Sequence, residues 1–274
     1  MKIGFIGAGK VGFSLGKYLS ENYFVSYFSR TYANASEAAN FTKGIAYNLQ
    51  EDLVKENDII FLTVPDDKIS SVWERIKSLS LESEINKKIF IHCSGLLDST
   101  LFGKVQGYSL HPFLAISSKY ESCKNLQTAH FTLEGKGKDI SLIKNMFPNV
   151  YILETENKTL YHKSAVIASN FIVALAHASN CLLEESGFNN PQAVFDIMKN
   201  TIKNMENQGI VQALTGPVER GDTEIVKKHL KARGYNDLYI TLSKELTEIA
   251  KLKNSQRDYE ALEKILKKGI HRQA

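Results

Sequence analysis

Two groups of residues in this sequence have the types and spacing to do chemistry: a cluster of glycines near the N-terminus, and imidazoles, amines and an amide farther along. Gly7-Ala8-Gly9-Lys10-Val11-Gly12 follows directly on the apolar run Lys2–Ile6 and precedes an apolar-periodic segment containing Phe13, Leu15 and Leu19. In that strand–turn–helix order Gly7 permits a tight turn, Gly9 lets backbone approach a pyrophosphate, and Gly12 allows close helix packing. The helix N-terminus, with Lys10 and Val11 in its first turn, offers unbonded N–H groups to the anion. The expectation is a dinucleotide site, with a purely structural turn as the alternative.

Nucleotides of the NAD type are held by an Asp or Glu at the end of the second strand, which binds the ribose 2′-hydroxyl. No acidic residue lies between Glu21 and Glu37, and the second strand runs instead into Ser29-Arg30-Thr31. A guanidinium flanked by two hydroxyls suits a 2′-phosphate, because its planar fork makes charge-assisted bonds to phosphate oxygens. NADP is therefore the expected cofactor, the alternative for Arg30 being a solvated loop position.

Ligands of open parallel sheets sit beyond the carboxyl ends of the strands. Val64-Pro65-Asp66 ends one such run, where Pro65 stops the ladder and turns the chain over the cofactor's path. Ser94 ends another, and these four residues complete the expected cofactor contacts; Asp67 is read either with them or as a helix cap. His92 and Cys93 are strand neighbours, so they point to opposite faces and make a poor nucleophile and base. His111, in Ser109-Leu110-His111-Pro112-Phe113, either faces substrate or is packed. Reducing a carbonyl requires a proton for the developing alkoxide, and an imidazolium or ammonium supplies one. His162 and Lys163 are the candidate donors, with Asn170 on nearly the same helical stripe as Lys163 beside them, the alternative being a core amide at Asn170 bonded to backbone and a solvated Lys163. Arg220, in the turn-rich stretch 214–222, either grips a substrate carboxylate or is exposed. The seven histidines show no metal-ligand spacing, so no metal is expected.

These groups must be carried by a scaffold. β-branched and aromatic runs at Lys2–Ile6, Phe24–Phe28, Asp58–Val64, Lys88–Cys93, Gly107–Leu110, His130–Glu134 and Val150–Leu153 alternate with helical stretches, which predicts a Rossmann-type doubly wound parallel sheet over residues 1–154. Beyond Glu154 the pattern is all-helical, giving a second domain over 155–274. Its first helix runs from Leu160 to Ser186, closed by Gly187, and Asn190-Pro191 opens the next. A further helix opens at Asp222, and a stripe at Leu242, Leu246, Ile249 and Leu252 marks an amphipathic helix.

A chain of 274 residues with 43% apolar and 23% charged residues is long enough for two domains and needs no staples. Three widely separated cysteines predict a reducing compartment, the cytosol by default. No apolar run reaches the ~20 residues that span a bilayer, and the N-terminus lacks the apolar stretch of a secretory signal, so no membrane is expected. The net charge of +4 is concentrated after Glu224, where twelve Lys and Arg face seven Asp and Glu on an amphipathic pattern, which argues against nucleic acid.

Taken together, Gly7-x-Gly9-x-x-Gly12, Ser29-Arg30, Val64-Pro65-Asp66-Asp67, His92-Cys93-Ser94-Gly95, Ser109-Leu110-His111-Pro112, Tyr161-His162 with Ser169-Asn170-Phe171, and Leu214-Thr215-Gly216-Pro217 with Arg220-Gly221-Asp222 resemble the family that pairs a Rossmann-like domain with a DUF2520 helical domain, within the 6-phosphogluconate dehydrogenase-like superfamily. The resemblance covers nearly the whole chain. It implies NADPH-dependent reduction of a small carbonyl or imine, commonly by homodimers. It points first to 2-dehydropantoate, as in an alternative ketopantoate reductase of pantothenate synthesis, and second to a cyclic imine of the pyrroline-5-carboxylate type. A third possibility is a protein that binds NADPH without turning it over. The usual ketopantoate reductases carry a helical Lys followed by Asn four and eight residues on; aligned on Asn170, this chain has His162 and Val166 in the first two places.

Overall fold

The computed structural model describes residues 1–79, 81–154 and 157–268. Its strands are β1 (Lys2–Ile6), β2 (Phe24–Phe28), β3 (Ile45–Tyr47), β4 (Ile59–Leu62), β5 (Ile89–His92), β6 (Gly107–Pro112), β7 (Phe131–Glu134) and β8 (Val150–Ile152). Between them lie α1 (Lys10–Leu19), α2 (Tyr32–Thr42), α3 (Gln50–Glu56), α4 (Asp66–Lys77), α5 (Glu82–Ile85), a 3₁₀ turn (Ser99–Phe102), α6 (Ser122–Asn125) and α7 (Ile140–Met146). The helices α8 (Lys158–Glu185), α9 (Pro191–Gln208), α10 (Ile210–Ala213), α11 (Thr223–Lys231), α12 (Asn236–Lys253) and α13 (Glu260–Lys268) follow.

The eight strands form one sheet in the order β3-β2-β1-β4-β5-β6-β7-β8. β2, β1, β4 and β5 are apolar on both faces because helices cover both sides, and all four residues of β4 are buried. The sheet is a Rossmann-type α/β layer whose strand order reverses at β1, as predicted. Two features correct the sequence reading. β3 was not expected: it is three residues long, at an edge and only partly buried, so it carries no periodic signal. The sheet is also not wholly parallel, since β7 runs antiparallel to β6 and β8 runs parallel to β7. A parallel neighbour requires a crossover, usually a helix packed on the sheet. The link from β6 to β7 contains only the four-residue α6 and is instead tied down on α1, where Ser14 donates to the Lys119 carbonyl at 3.1 Å and the Phe13 and Tyr120 rings meet at 5.0 Å.

The described chain divides into two compact units, Met1–Ser169 and Asn170–Ala274. The first holds two apolar clusters, one on each face of the sheet. One is built around Phe5, Phe61 and Tyr27, and the other around Trp73, Phe90 and Phe102. Residues 155 and 156, where the expected domain boundary falls, lie outside the described residues. In the second unit a small core of Val218, Val226, Ala250, Tyr259, Leu262 and Leu266 forms. Asn190 caps α9 through the Gln192 N–H, and Asp222 caps α11 through the Ile225 N–H, both as expected. The stripe expected on α12 is corrected. Its buried positions are Ile240, Ser243, Thr247 and Ala250; of the expected stripe Leu246 is half-buried against the core, whereas Leu242 and Leu252 are exposed, Leu252 by 74%.

No uninterrupted apolar run reaches ~20 residues, as expected, yet by length and composition alone one helix among the described residues, α8, is long and apolar enough to cross a bilayer. α8 has 28 residues, and an 18-residue window of it has a mean hydropathy of 1.6 with 6% of that window buried. Scattered Ser, Asn and His side chains interrupt its apolar runs and hide this length from a search for uninterrupted stretches.

Candidate active site

The glycine turn behaves as its spacing requires. Gly7 has φ +111, and a Cβ there would lie 2.7 Å from the Thr63 backbone. A Cβ on Gly12 would lie 2.0 Å from the Gly7 carbonyl, so α1 and the turn touch only because that side chain is missing. A Cβ added to Gly9 would meet nothing within 4 Å, and α1 starts there without a side-chain cap. An open approach to an uncapped helix N-terminus fits the diphosphate of a dinucleotide. Lys10 is exposed in the first turn of α1 and Val11 is half-buried. At the end of β2, Ser29 is half-buried, Arg30 is exposed with no side-chain partner among the described residues, and Thr31 precedes α2. The residues expected to hold NADP thus lie at the ends of β1 and β2, with the Arg30 guanidinium exposed.

At the next tips, Val64 is half-buried, and Pro65 leads into α4 with Asp66 and Asp67 in the first turn, so Asp67 is inside the helix and ion-paired with Lys68. Ser94 is fully committed. It donates to Asp66 Oδ2 at 2.5 Å and accepts from the Leu96 and Leu97 N–H groups at 3.1 Å. Its contribution to a cofactor site is to shape the loop after β5. His92 is wholly buried, with Nε2 3.2 Å from the Asp98 carbonyl; that nitrogen carries the hydrogen, and Nδ1 has no partner. Cys93 is packed against the core, and burial raises its thiol far above the reactive range, which disposes of a nucleophilic pair.

The antiparallel β6–β7 pair gathers a cluster of polar side chains around His111. Its register sets Thr132 opposite His111 and Glu134 opposite Ser109. His111 and Ser109 are two apart on one strand, so they share a face. The first turn of α8 lies along both rungs, because its three-residue step (≈ 5–6 Å) nearly matches the two-residue step of a strand (≈ 6.6 Å). Lys158 is 4% exposed and donates to Ser109 Oγ at 2.6 Å, to the Leu97 carbonyl and to Glu134 Oε2 at 3.5 Å. Tyr161 meets the other rung. Its hydroxyl lies 2.7 Å from His111 Nδ1 and accepts from Thr132 Oγ1 at 2.9 Å. His162, one residue on, packs with His111 against Gly95, the two imidazole centroids 6.2 Å apart.

Electrostatics follow from this packing. Burial, then the neighbouring His162 and Lys158, push His111 down to about 4, so it is neutral near pH 7. Burial also lowers Lys158, with the Glu134 and Asp98 carboxylates opposing the shift. All three ammonium hydrogens of Lys158 have acceptors, so it is a satisfied structural cation and not a nucleophile.

His111 and His162 thus converge, while Lys163 is exposed with no partner among the described residues. Asn170 is exposed on α8 within the second unit, and Arg220 is exposed in the loop before α11. Lys158, Tyr161, Thr132 and Glu134 were missed as site residues. The available signal was helical spacing, since Lys158 stands three and four residues before Tyr161 and His162 and so shares their face.

Residues 2–94 match the family described as NADP oxidoreductase coenzyme F420-dependent, and residues 129–246 match the domain of unknown function DUF2520. Among solved structures, protein TM1727 of Thermotoga maritima is 27% identical, with a TM-score of 0.76 over 91% of this chain and 99% of its own. Protein BF3122 of Bacteroides fragilis is 20% identical, with a TM-score of 0.72 over 90% of this chain and 98% of its own. The pyrroline carboxylate reductase of Plasmodium falciparum, solved with NADP bound, is 15% identical, with a TM-score of 0.60 over 93% and 97% of the two chains; at that identity, as with BF3122, the likeness concerns the fold. No curated protein matches. The chain is an NADP oxidoreductase whose residues 2–94 match the model described as NADP oxidoreductase coenzyme F420-dependent and whose residues 129–246 match DUF2520.

Proposed function

We propose that the protein reduces a small 2-oxo acid, 2-dehydropantoate to pantoate being the first choice. The observation that carries this reading is a neutral, half-buried imidazole at the same sheet edge as the glycine cradle. β1, β4, β5 and β6 are parallel, so their carboxyl ends share one edge. His111 therefore stands three strand spacings from Gly7, about 14 Å, a span suited to an extended dinucleotide. When bound, NADPH supplies the hydride. His111 Nε2–H donates to the substrate oxygen and stabilises the charge that develops there, a role a neutral imidazole fills well because it does not titrate away near pH 7. His162 packs beside His111 against Gly95, and Lys163 remains solvated. Lys10, Val11 and Arg30 bind the cofactor phosphates, while Val64, Pro65 and Asp66 border the nicotinamide path.

Reduction of a cyclic imine is the second reading, favoured by fold neighbours named as pyrroline carboxylate and imine reductases. NADPH oxidation followed at 340 nm with 2-dehydropantoate and with 1-pyrroline-5-carboxylate separates the two. Turnover of the imine alone overturns the oxo-acid assignment, and a flat trace with both overturns the reading as a whole. We further propose a homodimer through the second unit. Phe171, Val173, Phe195, Ile197 and Ile202 are exposed on α8 and α9, and an apolar groove runs between the two helices. Ser169, Asn170, His177, Ser179 and Asn180 on α8 would be unfavourable in hydrocarbon, so the face fits a second protein copy better than a bilayer.

A further inference from the structure

A neutral imidazole that gives up its Nε2 hydrogen becomes an imidazolate unless Nδ1 gains a proton in the same event. The structure holds a donor at that nitrogen. Thr132 donates to the Tyr161 hydroxyl at 2.9 Å, and the Tyr161 oxygen lies 2.7 Å from His111 Nδ1. A phenol has one hydrogen. With Thr132 already donating to its oxygen, that hydrogen goes to Nδ1, which must then be an acceptor, and the His111 hydrogen is left on Nε2. Thr132 is half-buried on β7, next to the exposed Tyr151 of β8 in the parallel register, so the outer end of the chain lies near solvent.

We propose that Thr132 and Tyr161 form a proton relay that delivers a solvent proton to His111 Nδ1 as Nε2 gives up its own during reduction. This rests on the oxidoreductase reading above. The step balances as follows. The substrate C=O π pair moves to oxygen as the hydride reaches carbon, and the oxygen takes the Nε2 proton. Nδ1 takes the Tyr161 proton, Tyr161 takes that of Thr132, and Thr132 takes one from water or buffer, which leaves the neutral Nδ1–H tautomer. Once the alcohol departs, Nε2 takes a proton from water and the Nδ1 proton returns to solvent through the same two hydroxyls, restoring the Nε2–H form. The alcohol forms, the nicotinamide is oxidised, and one solvent proton is consumed. Tyr161 and Thr132 act through His111 and are positioning residues. The groups facing His111 are Tyr161, His162 and Lys158 from α8, Thr132 from β7, and Asp66 from the start of α4.

The test compares wild type with Thr132→Val, Thr132→Ser and Tyr161→Phe, using NADPH with 2-dehydropantoate and with 1-pyrroline-5-carboxylate. Thr132→Val and Tyr161→Phe are expected to lower kcat by about 10²-fold, the low end for a general acid, with KM nearly unchanged. Thr132→Ser, which keeps the hydroxyl, is expected to restore kcat. The proton inventory in H2O–D2O mixtures bows for wild type and straightens in Thr132→Val. Unchanged kcat in both loss variants overturns the relay while leaving the oxidoreductase reading standing. Histidine ¹⁵N NMR on the wild-type protein decides independently of turnover. The Nε2–H tautomer of His111 is expected, and an Nδ1–H tautomer overturns the relay even if neither substrate is reduced or Tyr161→Phe fails to fold.

Discussion

His92 gives the stability of the first unit a dependence on acid that can be worked from its surroundings. The imidazole is fully buried and bonded through Nε2 to a carbonyl. It packs 5.6 Å from the Phe102 ring and leaves Nδ1 unpartnered. Burial, and after it the Lys158 ammonium, push it from 6.5 down to about 4. The folded protein therefore takes up a proton only well below the pH at which the unfolded chain does. The stability contributed is fully present above about pH 6.5 and is lost as pH falls toward about 4. At about pH 5 the gap is about 1.5 pH units, worth about 2 kcal/mol at 1.36 kcal/mol per unit. Glutamine in this place can present its own Nε2 to the Asp98 carbonyl and does not titrate. Urea unfolding of wild type and His92→Gln at about pH 7 and about pH 5 measures the difference: wild type is expected to lose about 2 kcal/mol more than the variant. Equal losses in the two proteins would refute the assignment of a buried, neutral, unpartnered imidazole.

Other outcomes follow from the cradle, the cofactor loop and the exposed helix faces. Gly12→Ala drives a Cβ to 2.0 Å from the Gly7 carbonyl and is expected to cost about 1–3 kcal/mol, visible as a lowered Tm. Gly9→Ala meets nothing within 4 Å, so its Tm should match wild type while calorimetry shows weakened NADPH binding. Arg30→Ala is expected to weaken NADPH binding by about 10- to 100-fold, the range of a bond to a charged group, with NADH nearly unaffected; equal losses for both cofactors would remove Arg30 from the 2′-phosphate. Val173 is 70% exposed on α8, and Val173→Asp is expected to shift sedimentation from dimer to monomer without changing the far-UV spectrum.

Much of this protein could be read directly from its sequence because the signals are local. The strand, glycine turn and helix from Lys2 to Leu19 occupy consecutive residues, and so do the arginine after β2, the Asn190 and Asp222 caps and the long α8. Steric freedom at Gly7 and Gly12, and the 2′-phosphate preference implied by Arg30, need no knowledge of distant residues. What the tertiary structure decided is the composition of the chemical centre. Thr132 stands beside His111 only because β7 runs antiparallel to β6, and that register depends on the loop tied to α1. Lys158 reads as a solvated helix-start lysine until its helix lies across the rungs with Ser109 and Glu134 beneath it. Likewise the buried face of α12 and the unburied length of α8 depend on what packs against them. Backbone conformation is set by neighbours in sequence, whereas hydrogen-bond partners and local dielectric are set by neighbours in space, and the protonation of His111 belongs to the second kind.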